Sequence, residues 1–584
     1  VALLSVTGCF PGEQQATVAP SLSKYPTLEP LVLPDYLKGT VMERVEVQNI
    51  HSQPVSGFGL VVNLAGTGDT SAPTPVREYI ERQMIKRGFG STVMGYERMQ
   101  PGAVLRDPRV AIVRVDAFVP PGARPGDRID LLVSTLDNNN TTSLARGLLY
   151  RTDLKINGAN PQKPSAAVDV PAYGEGAIFV NPAYASGKLA ENGAEMLKRG
   201  VVIGGGVVQI PRAIHFRIRE PSARVARMVE ARLDQAFQDT KVAAAQDDGI
   251  VLLRVPERFG DDWERFVEIA RHTFFNTSEE FVRRKSVELA QEAVKPDAPL
   301  LDITYCWEAL GPAALDGIRP MLTHERPDVA FSAARAAAHL GDQSAAELLE
   351  RMALDAEHPF SAGAVDVLAE LRPSPLNNQR LQRVMRGGTP QVRIAAYEAL
   401  ARRMDSSIHS ENIESRFMLD FCNVGTRPIL YAARTGLPRI AVLGTRPRVR
   451  TPLTFTAMDT RLSITAATPG DRVTIFYRGS EHPTPIRIES TTDLAEVIAR
   501  LGGAGPRDQR RLDFTYGDVV AVVKALVESG AVIGTGGTPE PAVFVLQSIG
   551  EDPEVASDAT DQPDATGLAG SQGAAPADAR GSEE

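Results

Sequence analysis

The residues with chemical potential are few and scattered. Gly66-Thr67-Gly68-Asp69 follows an apolar run from Gly57 to Leu64. It has the outline of a loop that cradles phosphate with backbone N–H groups. It lacks the lysine and Ser/Thr of a P-loop. It also lacks the third glycine and the acidic partner of a dinucleotide fingerprint. The stretch therefore reads as a turn, with Asp69 placed to cap a helix over roughly 75–87. Gly204-Gly205-Gly206 reads as a turn in the same way. The eight histidines (His51, His215, His272, His324, His339, His358, His409, His482) show no metal-ligand spacing with one another or with the cysteines. His272, inside a helical pattern, reads as a surface or interface residue. Cys422 lies near Asp420 but has no histidine partner in sequence, so no nucleophile is assigned. The catalytic, cofactor and metal sets are empty, and the chain reads as no enzyme.

The bulk numbers are those of an ordinary multidomain globular chain. The chain has 584 residues, enough for three or four domains, and 43% of them are hydrophobic. Its formal net charge is -9. Residues 549–584 hold nine carboxylates against one arginine, Arg580, so the rest of the chain is close to neutral. A neutral body has no bulk attraction for nucleic acid. The acidic tail has almost no large apolar side chains and is expected to be disordered. Residues 1–9, ending Val6-Thr7-Gly8-Cys9, look like the end of a secretory signal, with Cys9 in a lipobox-like setting for lipidation. Residues 10–35 read as a disordered tether. No later segment has the uncharged apolar length of a transmembrane helix.

The elements that must position these residues alternate between strands and helices. The Gly57–Leu64 run reads as a strand buried on both faces. Residues 109–118, 129–134 and 143–149 read as further strands, separated by Pro120-Pro121-Gly122 and by Pro125-Gly126-Asp127. Helices are expected over 221–237 and 259–274, where apolar residues recur at three and four.

These segments resemble a known family when taken together. GFGLVVNLAGTGD at 57–69, VAIVRVDAFVPPGARPGDRIDLLVSTL at 110–136 and SLARGLLYRTDLK at 143–155 are similar, in order and spacing, to the flagellar basal-body P-ring protein family. Departures are Phe58 for the usual tyrosine, Gly122 for phenylalanine, and Ala145-Arg146-Gly147 where the family prefers a double glycine. The resemblance continues more weakly to about 275 and returns in a helical pair near the C-terminus. It implies a structural subunit that meets copies of itself in a periplasmic ring, a bushing around the flagellar rod. Its partners would be the rod and the outer-membrane ring proteins. The expected subunit-interface residues are Gly66, Thr67, Gly68, Asp69, Arg124, Asp127 and Asp130, with Arg124 and Asp130 as a structural pair or a subunit contact.

Between about 299 and 410 the pattern breaks. Helical segments beginning near Pro327, Pro359 and Pro390 recur at 31- and 32-residue steps. That is the spacing of short HEAT-like helical pairs, each of which needs a neighbour to bury its apolar face. Cys306 and Cys422 bracket this block and, in an exported chain, would be placed to pair.

The expected fold class is α+β, small mixed α/β modules interrupted by an all-α HEAT-like solenoid. The expected divisions are a signal remnant 1–9, a tether 10–35, a P-ring-like region 36–275, helical repeats 276–415, a C-terminal strand region with a helical pair 416–548, and the tail 549–584. The alternative is an envelope lipoprotein whose repeats recruit a protein partner, with membrane contact through Cys9. A weaker third reading is a cell-wall hydrolase, which needs paired carboxylates that the sequence does not place.

Overall fold

The computed structural model describes residues 24–547 except 92–98, 165–168, 183–192, 239–240, 261, 425–426, 459, 467–471, 480–483, 507–509 and 536–539. Cys9 and the acidic tail thus lie outside the described residues. The fold is α+β.

Strands β1 (Val45–Gln48) and β2 (Gln53–Val62) lead into helix α1 (Thr74–Lys86). Then come β3 (Ala111–Val119), β4 (Arg128–Thr135), β5 (Leu148–Leu154), β6 (Ala172–Ala177), β7 (Arg199–Val208) and β8 (Ile214–Ile218). Helix α2 (Ala223–Phe237), β9 (Ala243–Ala245), β10 (Ile250–Leu253) and α3 (Trp263–His272) complete the first half. Six of the strands close into an antiparallel barrel in the order β2-β3-β4-β7-β6-β5, with β5 returning to β2 at Val61↔Leu149 and Val62↔Leu148. The other four form an open sheet, β1-β8-β10-β9, whose apolar face packs on α2 and α3.

The barrel explains why Gly57–Val62 has no polar face. Alternate residues such as Val61, Val113 and Val115 fill the interior. Phe58 and Leu60 point outward and are covered by Val76, Ile80 and Met84 of α1. Six strands leave little room inside. A Cβ on Gly59 would stand 2.4 Å from the Thr152 hydroxyl and 3.0 Å from Leu149. The glycines of this strand, Gly57 and Gly59, serve interior clearance.

Helices α4 (Glu279–Ala293), α5 (Leu300–Leu310), α6 (Pro327–His339), α7 (Gln343–Leu354), α8 (Ser361–Glu370), α9 (Pro375–Gly387) and α10 (Pro390–Arg402) follow. Proline at the first turn starts α6, α9 and α10, where its missing N–H costs nothing. Side chains of Asp342, Ser374 and Thr389 cap α7, α9 and α10. Neighbouring helices share one apolar core rich in alanine, including Ala333, Ala337, Ala346, Ala364 and Ala396. The chain then forms β11 (His409–Ile413), β12 (Phe417–Cys422), β13 (Ile429–Ala432) and β14 (Arg439–Leu443). These join the late strand Val543–Leu546 in a mixed five-stranded sheet. A four-stranded meander over 453–491, α11 (Leu494–Leu501) and α12 (Tyr516–Glu528) finish the C-terminal domain.

Two expectations are corrected here. Cys306 and Cys422 are both buried and both free. Cys306 sits on α5, which packs on α3, α4 and α6, whereas Cys422 ends β12, beyond α10. They bracket the block in sequence and stay at opposite ends of the helical stack. The described part of the expected tether is also pinned down. The Leu28 N–H donates to the Arg219 carbonyl (2.9 Å), Arg217 donates to the Pro26 carbonyl (3.1 Å), and the Tyr25 hydroxyl donates to Asp247 (2.9 Å). Tyr36 and Leu33 then pack on the helical core.

The interior clearance can be tested by substitution. Gly59→Ala should lower stability by about 1–3 kcal/mol through overpacking. Gly102→Ala, whose added Cβ would come no nearer than 3.8 Å to the flexible end of Arg106, should stay within about 0.5 kcal/mol of the parent. Urea unfolding of both variants checks this, and equal effects would refute the packing account.

Candidate functional site

The loops at the two ends of the barrel carry every expected interface residue except Asp130. In the β2–β3 pair Gln53 faces Val119 and Val61 faces Ala111. The loop leaving Val62 and the loop leaving Val119 therefore lie at opposite ends of the barrel. At about 3.4 Å per residue the strands separate them by roughly 25–30 Å.

The first loop is tightly built. Gly66, at φ 80°, is exposed with nothing within 4 Å of its missing Cβ. Gly68 is confined, since a Cβ there would meet the Val110 carbonyl at 2.5 Å. The Thr67 hydroxyl donates to the Ser143 carbonyl (2.7 Å). The Asp69 carboxylate accepts from the N–H of Asn140 (2.8 Å) and from both the N–H and hydroxyl of Ser71. Asp69 thus fastens residues 139–142 to this loop and does not cap α1, which begins after Pro73 with no side-chain cap. The N–H groups of Gly68 and Asp69 are spent on the Pro108 carbonyl and the Thr141 hydroxyl, so the loop offers no such cradle to an anion.

The second loop closes on itself through Arg124 and Asp127. The Arg124 N–H donates to the Asp127 carboxylate (2.7 Å), and the Asp127 N–H donates to the Arg124 carbonyl (3.1 Å). Asp130 does not pair with Arg124. Its carboxylate accepts from the N–H of Gly204 (2.5 Å) and from that of Gly436 (3.3 Å), in the connection between β13 and β14. Burial raises its pKa, and the two N–H groups pull it back in part. Gly204 lies inside β7, not in a turn, and a Cβ on it would run into the Gly436 carbonyl. Asp130 is therefore a latch between the barrel and the C-terminal domain.

Arg146 makes a second latch that the sequence reading did not single out. It sits at φ 68°, a conformation that disfavours any side chain. Its guanidinium pairs with Asp518 at 3.1 Å, donates to the Tyr477 hydroxyl at 3.3 Å, and lies 3.8 Å from Asp513. Phe179 adds a ring contact with Tyr516 at 5.6 Å, and Val201 and Ile203 of β7 join the core of the C-terminal domain. The available signal was the arginine where the resembled pattern has glycine.

The helical block is latched at both ends. Arg265 of α3 pairs with Glu308 of α5 at 2.6 Å, with the two side chains 12% and 3% exposed. His272, expected at the surface, is wholly buried, with its Nδ1 2.7 Å from the Glu268 carbonyl oxygen. At the other end Asp420 of β12 accepts from Tyr397 of α10 (2.5 Å) and from Arg439 (2.7 Å). Tyr431 donates to Glu398. Among the described residues no group of three His, Cys, Asp or Glu side chains could hold a metal ion. No described helix is long and apolar enough to cross a membrane.

Residues 41–278 match the family model described as flagellar P-ring protein. The chain is similar to the flagellar P-ring proteins of three organisms. For Ruegeria pomeroyi the identity is 31% over 221 residues, 36% of this chain and 54% of the relative. For Burkholderia mallei it is 34% over 176 residues, 29% and 42%. For Anaeromyxobacter dehalogenans strain 2CP-C it is 33% over 239 residues, 38% and 56%. The chain spans about half the length of the curated relatives it matches. The family match takes in the barrel and the open sheet and stops one residue before α4.

Arg146→Gly should relieve the backbone strain and release the C-terminal domain. Hydrogen exchange in 510–530 should rise at least tenfold while the strands of the barrel keep their protection. Unchanged exchange in 510–530 would show that Arg146 is not a latch.

Proposed function

We propose, from the relation of residues 41–278 to the flagellar P-ring protein family, that the chain is a structural subunit of the basal-body P-ring. Copies assemble head to tail into a closed periplasmic ring that acts as a bushing around the rod, in contact with rod and outer-membrane ring proteins. The observation that carries the reading is the family-matched barrel with differently shaped loops at opposite ends. A contact between unlike ends is heterologous, and heterologous contacts generate rings when the rotation closes. Gly66, Thr67, Gly68 and Asp69 would meet Arg124 and Asp127 of the next copy. A body without strong net charge suits dense packing of identical subunits. Acylation of Cys9 would tether the ring to the outer membrane.

A second reading, an envelope lipoprotein that recruits a protein partner through its helical block, draws support from the family match ending before α4. In both readings the chain works by binding and not by catalysis.

Purified full-length chain should form closed rings in negative-stain electron micrographs. Ala65→Trp and Arg124→Glu should each weaken assembly at least tenfold, about 1.4 kcal/mol per contact, without shifting the unfolding midpoint. Chains that stay monomeric, together with complete P-rings in basal bodies from cells lacking the gene, would refute the ring and favour the scaffold.

A further inference from the structure

The five-stranded sheet ends on one side at Val543–Leu546, a strand that pairs only with β13 among the described residues. The pairing is parallel, with Ile429↔Val543 and Ala432↔Leu546 in register. The N–H groups of Val543 and Gln547 donate inward, to the Pro428 (3.1 Å) and Ala432 (2.9 Å) carbonyls. Backbone direction alternates along a strand, so Phe544 and Leu546 present their N–H and C=O groups to the outside. All four side chains are apolar and only half-buried. The strand has no charge, proline or bulge of the kind that protects a free edge. An edge of this composition takes a further strand.

The chain also carries an apolar segment that lacks a partner. Glu29-Pro30-Leu31-Val32-Leu33-Pro34 runs between Leu28, held by the Arg219 carbonyl, and Tyr36, whose hydroxyl donates to Asp302 of α5 (3.3 Å). Leu31 is 40% and Val32 93% exposed. The residues before Pro30 and Pro34 are held to extended backbone, and Pro34 is itself extended at φ -57° and ψ 155°. In such a strand Pro30, Val32 and Pro34 share one edge, where the prolines cannot donate. Leu31 and Leu33 share the other edge, and their N–H groups have no backbone partner among the described residues. This segment cannot reach the free edge of its own sheet. It is fastened at α5, whereas Gln547 is fastened at α10, where its side chain donates to Glu398 (3.2 Å). Helix α5 packs on α6, α6 on α8 and α8 on α10. At helix-packing distances that stack separates the two by roughly 25–30 Å. Two other strands are at hand and both fit poorly. The tail brings Glu551, Asp552, Pro553 and Glu554, and β11 presents exposed His409, Ser410, Glu411 and Asn412. We propose that residues 31–33 of one copy add as a strand to the Val543–Leu546 edge of a second copy. Donor and acceptor are unlike and lie at opposite ends of the helical block, so the contact is heterologous and continues from copy to copy. It is separate from the barrel-end contact, and it rests on the ring reading only in making the partner another copy.

Hydrogen exchange in the full-length chain tests this. The amides of Phe544 and Leu546 should exchange at least tenfold more slowly at high protein concentration than at low. Leu31→Pro, which removes a donating N–H, should abolish that difference. Val32→Pro, which removes an N–H on the other edge, should leave it intact. Disulfide trapping in chains carrying Cys9→Ser identifies the partner strand. Val32→Cys chains mixed with Val545→Cys chains (antiparallel pairing) or with Leu546→Cys chains (parallel pairing) should give mixed dimers under mild oxidation. Glu411→Cys chains in place of the Val32→Cys chains should give none. Slow exchange at every concentration, which marks an edge covered within one chain, would overturn the assignment, as would fast exchange at every concentration. So would equal behaviour of the two proline variants, or trapping through Glu411→Cys instead. Repeating the exchange in Arg124→Glu chains, whose barrel contact is weakened, separates failure of this contact from failure of the ring.

Discussion

The pairing of β2 with β5 is the contact on which the subunit depends. It joins residues almost 90 positions apart and turns a run of antiparallel hairpins into a closed barrel. Closure removes the free edges that an open sheet would offer to other chains. It also fixes which residues can face inward, and so demands the missing side chains at Gly57 and Gly59. Because neighbouring strands run in opposite directions, closure sends the loops after β2 and β3 to opposite ends. The placing of these two loops at opposite ends thus follows from strand polarity alone.

The remaining domains are held to the barrel by a circuit of polar contacts between elements far apart in sequence. Asp130 and Arg146 bind the C-terminal domain to the barrel. Asp420 binds that domain to the helical block, and Glu308 binds the block to the open sheet beside the barrel. Removing one partner from the buried ion pairs Arg265–Glu308 and Arg439–Asp420 costs about 3–5 kcal/mol, because the other charge is left without compensation. Such contacts specify a single arrangement more than they add net stability. The helical block spans the distance between the open sheet and the C-terminal domain and braces one against the other.

Much of this was legible in the residues, for physical reasons. The 31- and 32-residue steps announced the helical block because Pro327, Pro359 and Pro390 recur at or just before the starts of α6, α8 and α10. The strand at Gly57–Val62 was visible because both of its faces are apolar. Closure was not legible, since alternation looks alike in an open sheet and in a barrel and only the distant β2–β5 register tells them apart. The role of Asp69 was misread because the distant N–H that its carboxylate accepts from, that of Asn140, lies 71 residues away in the 139–142 loop. Asp130 and Arg124, six positions apart, suggested a pair, but the Asp130 carboxylate serves Gly436, about 300 residues downstream. His272 looked like a surface residue because its cover, α5, belongs to the block beyond the family match.

The central claim is that unlike ends of the barrel meet in successive copies. Disulfide trapping tests it most directly, with Ala65→Cys at one end and Arg124→Cys at the other in the full-length chain. The account predicts a ladder of disulfide-linked multimers from the double variant under mild oxidation, and monomers from each single variant. Dimers from either single variant, which mark a contact between like ends, or no ladder from the double variant, would contradict it.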